Sequence, residues 1–428
     1  MHHARLSDIV RRMPDYQPNA LPVAQAQAII HALVQTVKEV EAVDIFSALG
    51  RVLAEDIPSP INVPPHDNSA MDGYAFSGAD LHAVDPTQLS IVGDALAGRA
   101  FEGLVGSGQC IRIMTGAVMP EGCDTVIPQE LVASHTPIVV TIAPGTLRAG
   151  DNRRHKGEDL KQGTAALAQG RLVHAADLGL LASLGLAHIP VRRRVKVAFF
   201  STGDELRSLG QTLDAGCLYD SNRYTLFGML TRLGCELVDM GVIPDEPVAL
   251  EAAFRSACAQ ADAIITSGGV SVGAADYTKQ IMQRLGDVTF WTIGMRPGRP
   301  MAVGTVTCEG KSAYVFGLPG NPVAVMVTFY FFVRDALLRV MGATAEPLPL
   351  MSVISMEPIR KKRGRTEYQR GILARNAAGQ QTVRITGSQG SGVLRSMSEA
   401  NCMMVLHHEQ GDVAAGDYVD VLVFDGLT

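Results

Sequence analysis

The spacing of apolar and polar residues changes several times along this chain. From Leu6 to about Arg51 apolar residues recur at helical intervals, most clearly in AQAQAIIHALVQTV, which predicts an amphipathic helical lead. From about Asn62 to Val173 short β-branched runs, such as SIVGDALAG, QCIRIMTG and PIVVTIAPG, are separated by glycines. That pattern predicts a β-rich region with connecting segments.

The pattern alternates between strand and helix from Ala175 to Gly342. VKVAFF, CELVDMGVI, DAIIT and AYVFGLPG are predicted to be strands, and the lack of alternation in DAIIT suits a strand that is covered on both faces. The helical stretches between them favour a doubly wound parallel sheet. From about Pro347 to Thr428 short strands return, which predicts a small β-barrel or sandwich. We therefore expect a multidomain α/β chain with regions 1–51, 52–174, 175–342 and 343–428.

Composition narrows the class of protein. The 428 residues are 47% hydrophobic, which is ample for several cores. A net charge of −6 argues against nonspecific binding to nucleic acid. The seven cysteines include no CxxC pair, which favours reduced thiols over a disulfide framework or a zinc site and predicts a cytoplasmic protein. No apolar run has the length of a membrane span or the features of a signal peptide.

Candidate chemistry begins in the segment DAIITSGGVSVGAADYTK, from Asp262 to Lys279. A buried strand there leads into a loop of small residues, whose amides and hydroxyls could hold an oxyanion. The loop residues with this potential are Ser267, Gly268, Gly269, Ser271 and Gly273. Asp276 cannot bind an anion directly, so a divalent metal bridging it to a phosphate would explain its place. A tight turn followed by an aspartate at a helix N-terminus explains the same residues.

Three further strand ends carry small or polar residues. YVFGLPGNP ends in Pro319, Gly320 and Asn321, where Asn321 suits an N-cap and Pro322 the first position of an apolar helix over Val323 to Val333. The segment STGDEL offers small ligand-facing residues, Ser201, Thr202 and Gly203. It continues with Asp204 and Glu205, either of which could bind metal or cap a helix. The cluster Tyr219, Asp220, Ser221 and Asn222 either caps the next helix or lines the same crevice.

These four pieces, in this order, resemble the molybdopterin molybdenumtransferase family, MoeA, and the gephyrin E domain. The resemblance extends upstream to DNSAMDGYA, IRIMTGAVMPEGCDTVIPQE and NRRHKGEDLKQG. Downstream it includes RPGRP, RTEYQRG and GSQGSGVLRSMSEAN, so nearly the whole chain is covered. The resemblance implies insertion of molybdate into adenylylated molybdopterin with release of AMP, assisted by Mg²⁺. A non-catalytic gephyrin-like scaffold and a molybdopterin adenylyltransferase are the alternatives.

The resemblance also implies roles for individual residues. The implied catalytic residues are Asp72, Thr115, Asp159, Glu205, Asp245, Asp276 and Arg296. The implied substrate-binding residues are the small and polar loop residues above, with Arg299, Arg365 and Ser391. Mg²⁺ is expected at Glu205 and Asp276. Asp72, Thr115 and Asp159 are expected to approach the site from the partner subunit of a homodimer, and contacts with the adenylyltransferase and with molybdoenzymes are implied.

Four positions depart from the family pattern. Relatives often carry lysine where this chain has Thr292, Arg296 and Arg299, so two of three charges are kept. Arginine does not deprotonate as lysine does, and a proton-transfer role at these positions is therefore not expected. Ala324 occupies a position that is often serine, which removes one oxyanion donor.

Overall fold

The computed structural model describes residues 5–270, 277–344 and 348–424. In these ranges the chain forms a six-stranded sheet in its N-terminal part, a six-stranded central sheet with helices on both faces, and a closed C-terminal barrel. The predicted α/β multidomain class is confirmed. No helix in the described ranges has the length and apolar character needed to cross a bilayer.

The helical lead is shorter than its pattern predicts. Helices span Leu6–Arg11 and Val23–Leu33. Beyond them Val34 is extended, and Val40–Asp44 forms a strand paired antiparallel with His188–Arg192. The prediction of helix as far as Arg51 is therefore wrong, because β-branched residues in this stretch pair with a strand that lies far away in sequence.

The β-rich region forms the predicted sheet. Its strands, in spatial order, are Thr125–Pro128, Gly73–Phe76, Gln109–Ile113, Thr87–Ala95, Val139–Ile142 and Ser134–His135. Short strand pairs flank this sheet: Ile57–Pro58 with Ala165–Leu167, and Asn68–Ser69 with Arg153–Arg154. Helix Ala175–Ser183 leads toward the central sheet. The three runs predicted as strands from the sequence are strands here.

The central sheet contains the four predicted parallel strands side by side. In spatial order its strands are Glu236–Ile243, Lys196–Thr202, Ala263–Ser267, Lys311–Leu318, Pro300–Cys308 and Gly286–Thr292. Pro300–Cys308 runs antiparallel to both of its neighbours, so the sheet is mixed rather than wholly parallel. A two-residue turn at Glu309 and Gly310, both with positive φ, creates the hairpin that brings Pro300–Cys308 beside its neighbour.

Helices cover both faces of this sheet. Asn222–Arg232 and a long helix from Pro322 pack with Val23–Leu33 on one face, and Pro247–Gln260 and Tyr277–Leu285 pack on the other. The long helix runs as Pro322–Thr328, a π-helical turn Phe329–Val333, and Arg334–Val340. The apolar helix predicted over Val323 to Val333 is thus confirmed, and it continues beyond that range.

The C-terminal strands close into a five-stranded barrel. The ring runs through Thr366–Arg375, Gln381–Ile385, Met351–Ser355, Tyr418–Val423 and Cys402–Leu406, and back to the first. A short helix, Leu394–Glu399, follows one of its loops. Met295–Arg296, from the central region, pairs with Thr366 and Glu367 at the edge of the barrel. The barrel is therefore held against the carboxyl-terminal edge of the central sheet.

Candidate active site

A polar cavity of about 360 Å³ lies where the central parallel strands end. In the sheet register Ser201 is level with Ser267, and Ser267 with Leu318, so the loops that follow these strands meet at one edge. The carboxyl edge of an α/β sheet is the usual location of a ligand site. The cavity is lined by Thr202, Gly203, Glu205, Leu206, Asn222, Asp245, Ser267, Gly268, Gly269, Val270, Pro300, Pro319, Gly320 and Asn321.

Two of the lining glycines are required by close packing. Gly268 and Gly269 have φ of +94° and +69°. A Cβ on Gly268 would lie 2.4 Å from the carbonyl oxygen of Thr202, and one on Gly269 would lie 2.4 Å from the Thr278 hydroxyl. The left-handed backbone and these contacts exclude larger residues. The turn thus brings its main chain to the cavity wall, as the anion-site interpretation of this loop requires.

Polar atoms at the cavity wall have unused hydrogen-bonding capacity. Asn222 donates from Nδ2 to the Ser267 hydroxyl at 2.7 Å and to the Gly320 carbonyl at 2.6 Å. Its Oδ1, the Thr202 hydroxyl and the Thr278 hydroxyl are buried and have no hydrogen-bond partner among the described residues. An unpaired buried polar atom costs about 1–3 kcal/mol, which a bound ligand would recover.

Ser201 and Asp220 lie behind the cavity wall. Both are buried, and the Ser201 hydroxyl donates to Asp220 Oδ1 at 3.0 Å. Asp220 Oδ1 also accepts from the Arg223 N–H at 3.2 Å and so caps the helix Asn222–Arg232. Ser221 occupies the N-cap position without a side-chain capping bond. Residues of the YDSN cluster therefore have different roles. Asp220 caps the helix, and Asn222 lines the cavity.

Carboxylates line one side of the cavity. Burial raises the pKa of Asp245, and the charges of Asp204 and Glu205 raise it further. The Asp245 N–H lies 3.4 Å from Asp204 Oδ1, and the strand Leu206–Arg207 follows. The helix-cap interpretation of Asp204 is wrong, because no helix begins there. Because Asp204, Glu205 and Asp245 repel one another, a bound cation would stabilise this arrangement.

The donor set suits Mg²⁺. Glu205 and Asp245 offer the carboxylate oxygens that Mg²⁺ prefers, and Mg²⁺ commonly takes only one or two protein carboxylates together with substrate phosphates. Within the described ranges no three carboxylate, histidine or cysteine side chains converge in a metal-binding geometry. Three of the predicted site residues, Ser271, Gly273 and Asp276, lie outside the described residues.

Replacing Asp245 with asparagine is expected to raise the unfolding temperature at neutral pH when no divalent cation is present. The folded-state pKa of Asp245 is raised. Protonation of Asp245 therefore stabilises the folded protein. This contribution is fully present below the pKa of about 3.9 in the unfolded chain, and it is lost as the pH rises through the higher pKa of the folded state. Asparagine removes the charge that destabilises the folded protein above that pH. Thermal unfolding of both proteins at several pH values measures the difference, which should shrink toward about pH 4.

Mg²⁺ supplies the second part of that test. It should raise the unfolding temperature of the wild type more than that of Asp245→Asn, because binding to the folded state alone stabilises it. Glu246→Gln is the matched control, since this neighbouring exposed carboxylate does not line the cavity. A lower unfolding temperature for Asp245→Asn at neutral pH, or an equal response to Mg²⁺, would contradict the assignment.

Cationic side chains lie beside the cavity, next to the barrel. Arg296 and Arg299 are exposed, and their guanidinium groups have no hydrogen-bond or ion-pair partner in the described part of the chain. Pro300, the residue after Arg299, lines the cavity. Arg365 differs from these two, because its Nε donates to the nearly buried Glu367 at 2.8 Å. Two of the three predicted arginines are thus available for an anion.

The start of the helix at Pro322 joins the cavity to the barrel. Asn321 occupies the predicted N-cap position, but its side chain makes no capping bond, and the residue lines the cavity. The Val323 N–H instead donates to the Ser391 carbonyl at 3.1 Å. The predicted site residue Ser391, on a barrel loop, is therefore held next to the central cavity.

Two of the positions that depart from the family pattern, Thr292 and Ala324, carry no charge and make main-chain contacts. Thr292 ends its strand opposite Pro300 and exchanges main-chain bonds with the N-terminal segment, its N–H donating to the Pro18 carbonyl at 2.7 Å. Ala324 is buried in the first turn of its helix, and its carbonyl accepts from the Thr328 hydroxyl. Neither position supplies an ionic group to the cavity.

Asp72, Thr115 and Asp159 all belong to the N-terminal part of the chain, and the first two contact each other. Asp72 Oδ1 accepts from the Thr115 N–H at 2.6 Å and from the Thr115 hydroxyl at 2.7 Å. These two bonds, the N–H bond first, lower the pKa of the exposed Asp72 carboxyl. The N–H of Asp159, also exposed, donates to the Val63 carbonyl at 3.1 Å. None of the three is among the described residues that line the cavity.

Sequence reasoning missed Thr278 and Arg370. The Thr278 hydroxyl leaves no room for a side chain at position 269, so a glycine is required there. In the sequence, only a hydroxyl residue in the segment ADYTK indicated this contact. Arg370 lies within RTEYQRG, where a charged residue in a predicted strand is ordinarily expected to face solvent, yet its side chain is fully buried.

Together the fold and the site define a class of protein. A mixed α/β sheet carries, at the carboxyl ends of its strands, a cavity lined by close-approach glycines and carboxylates. Two arginines nearby have no partner in the part of the chain that the structure describes. Such a site suits a substrate with several anionic oxygens and a bridging divalent cation, as expected of an enzyme that acts on phosphate-bearing compounds.

Comparison with known proteins gives the family. Residues 21–185 match the MoeA N-terminal region (domain I and II), residues 198–339 a probable molybdopterin binding domain, and residues 352–424 the MoeA C-terminal region (domain IV). The chain belongs to the MoeA family. It is 42% identical over 390 residues to a molybdopterin molybdenumtransferase of Haemophilus influenzae, covering 91% of this chain and 95% of that protein.

Further relatives agree with this membership. A molybdopterin molybdenumtransferase of Nostoc sp. is 37% identical and covers 90% of this chain and 88% of its own length. The crystal structure of the molybdopterin biosynthesis moeA protein from Pyrococcus horikoshii superposes with a TM-score of 0.80 at 26% identity, covering 95% of this chain and all of that one.

Proposed function

We propose that this chain is a molybdopterin molybdenumtransferase, which inserts molybdate into adenylylated molybdopterin and releases AMP. The observation that carries the proposal is the cavity at the strand ends, which is lined by close-approach glycines and two carboxylates. Thr202 and Asn222 also line it, and each has a buried polar atom without a partner among the described residues. Adenylylated molybdopterin carries a diphosphate, and molybdate is a tetrahedral dianion. A site for both must hold many negative oxygens, and these residue types serve that purpose.

The glycine-rich wall would bind the phosphates of the pterin substrate. Gly268, Gly269 and Gly320 bring main chain to the cavity surface. Asn222 and Thr202 add an Oδ1 and a hydroxyl that have no partner within the described ranges. Hydrogen bonds from such groups fix the diphosphate in one orientation. Positioning of this kind accounts for a large part of the rate when the protein supplies no nucleophile.

Glu205 and Asp245, with Asp276 outside the described residues, would hold Mg²⁺ at the edge of that diphosphate. When bound, Mg²⁺ polarises the phosphoryl group and neutralises charge on the departing AMP. The chain's own contribution is to keep these carboxylates close together, at the cost of the repulsion that raises the pKa of Asp245.

Arg296 and Arg299 would hold molybdate beside the pterin dithiolene. Planar guanidinium groups bind two oxygens of an oxyanion at once, and both side chains lack a partner in the described part of the chain. Ser391, fixed against the helix start at Val323, would complete this side. Arg365 would contribute less to this anion site, because Glu367 already pairs with its guanidinium.

Asp72, Thr115 and Asp159 would enter the site from a second copy of the chain. All three are exposed, and none lines the cavity of its own chain among the described residues. The proposal thus includes a homodimer with two sites between subunits. A cytoplasmic location and contacts with the adenylyltransferase and with molybdoenzymes belong to the same proposal.

The adenylyltransferase alternative is not favoured. It would need only the α/β region, whereas matches to MoeA regions also cover the N-terminal and C-terminal parts. A scaffold without activity would not need Glu205 and Asp245 in one cavity, with two arginines nearby that have no partner among the described residues.

The proposal predicts AMP release from adenylylated molybdopterin that needs the protein, Mg²⁺ and molybdate together. Omitting each in turn, with AMP measured by chromatography, provides the test. Tight binding of the pterin with no AMP released under any of these conditions would favour the scaffold and contradict the proposal.

A further inference from the structure

A buried arginine with no acidic partner lies under the barrel loop that contains Ser391. The side chain of Arg370 is fully buried, and no carboxylate in the described ranges pairs with it. Its guanidinium donates to the carbonyls of Gln389 at 3.2 Å, Ser388 at 3.3 Å and Gly390 at 2.9 Å, and its Nε to the Ser396 hydroxyl at 2.9 Å. One side chain thus holds three successive carbonyls.

The main chain of Arg370 is fastened to the same loop. Gln389 Oε1 accepts from the Arg370 N–H at 2.8 Å, and Gln389 Nε2 donates to the Arg370 carbonyl at 3.2 Å. The loop is therefore attached to Arg370 in two independent ways, one through the guanidinium and one through the Gln389 amide.

This attachment sets the direction of the loop's N–H groups. In a trans peptide the C=O and N–H bonds point in opposite directions. Because the carbonyls of Ser388, Gln389 and Gly390 point at Arg370, the N–H groups of Gln389, Gly390 and Ser391 point away from it. None of these three N–H groups donates to any described residue. Successive unpaired N–H groups with one direction form a concave anion-binding surface.

Positive charge near this loop also favours binding of an anion. Burial, together with the nearby charge of Arg296, lowers the pKa of Arg370 to about 10, so Arg370 remains cationic at neutral pH. Two cationic side chains, Arg370 and Arg296, therefore lie close enough to repel each other. The Ser391 carbonyl meanwhile anchors the loop to Val323, at the edge of the cavity.

We propose that Arg370 is a positioning residue: by holding the carbonyls of Ser388, Gln389 and Gly390, it aims the N–H groups of residues 389–391 at the oxygens of molybdate. This assignment rests on the proposed function and adds a residue that does not itself touch the substrate. Arg370 acts through the loop, and Arg296 binds the same anion from the other side.

The test compares Arg370→Lys and Gln389→Ala with the wild-type protein. Lysine keeps a cation but has a single donor nitrogen, so it cannot reproduce the separate Nη1 and Nη2 bonds that fix the three carbonyls. Gln389→Ala removes the second attachment while leaving Arg370 in place. Both variants should bind molybdate at least about tenfold more weakly by calorimetry, with a matching rise in its KM. Affinity for adenylylated molybdopterin should change less than about twofold, because the phosphate wall lies on the central sheet.

Ser396→Ala is the matched control. It removes one hydrogen bond from Arg370 without touching the three loop carbonyls. Its unfolding temperature should fall while molybdate affinity stays at the wild-type value, which separates stability from positioning. Should Arg370→Lys not fold, Gln389→Ala decides the question alone.

Two outcomes would overturn the assignment. Wild-type molybdate affinity in the folded variants, or an equal loss for molybdate and pterin, would show that Arg370 has no selective positioning role. Failure of the wild-type protein itself to bind molybdate would overturn the proposed function, and this assignment with it.

Discussion

Glu205→Gln is expected to lower AMP release about 100-fold at low Mg²⁺, which corresponds to about 2.7 kcal/mol of activation free energy. Glu205 lines the cavity at the end of the strand Lys196–Thr202, close enough to Asp245 to raise the pKa of its carboxyl. Glutamine keeps the size of the side chain but removes the charge that attracts Mg²⁺. The measurement is the rate of AMP release as a function of Mg²⁺ concentration.

The shape of that Mg²⁺ dependence identifies the cause. A variant with a weakened metal site should regain part of its activity as Mg²⁺ is raised. Glu236→Gln serves as the control, because Glu236 pairs with Lys196 at the opposite end of the same strands and is half exposed. Its activity should stay within about twofold of wild type. An unaltered rate for Glu205→Gln at low Mg²⁺ would remove Glu205 from the metal site.

Mixing two inactive variants is expected to restore activity. Asp72→Asn and Glu205→Gln each disable one half of the proposed site, and these halves come from different subunits in the proposed dimer. Random exchange of subunits makes half of the dimers mixed, and each mixed dimer has one site with both wild-type residues. About a quarter of wild-type activity should return.

The control for this experiment is a single chain that carries both substitutions. Mixed with wild type, it yields dimers whose two sites each contain one altered residue, so it should not raise activity above that of the remaining wild-type dimers. Activity that stays near zero after Asp72→Asn and Glu205→Gln are mixed and subunit exchange is verified would mean that both residues serve the same chain's site.

The local spacing of apolar and polar residues was sufficient to predict much of the fold. The four parallel central strands are mostly apolar, and the register brings their carboxyl ends, among them the polar Thr202 and Ser267, to one edge of the sheet. Two strands were missed for physical reasons. Gly286–Thr292 follows the preceding helix with no break, and Pro300–Cys308 is defined by a tight hairpin at Glu309 and Gly310. Their partners lie outside any local window.

Long-range pairing also explains the overextended helical lead. The segment Val40–Asp44 has enough apolar residues for either state, and its pairing with His188–Arg192 decides the outcome. Tertiary partners of this kind override weak local preferences. The domain boundaries inferred from pattern changes stay predictions.

The candidate site was predictable in its residue types but not in its assembly. Thr202, Asn222, Ser267 and Gly320 were all identified from loop chemistry, and they do line one cavity. The burial of Arg370 could not be predicted, because its stabilisation comes from main-chain carbonyls that no sequence pattern marks. Hydrogen bonds to the main chain depend on the path of the loop.

The stoichiometry of the product tests the proposed molybdenum insertion most directly. Adenylylated molybdopterin, Mg²⁺ and molybdate are incubated with the purified protein, and molybdenum bound to pterin is compared with AMP released. The account predicts one molybdenum per AMP, in a pterin that activates a cofactor-free molybdoenzyme. AMP release without molybdenum in the pterin would contradict it, because the chain would then be a hydrolase of the adenylylated pterin.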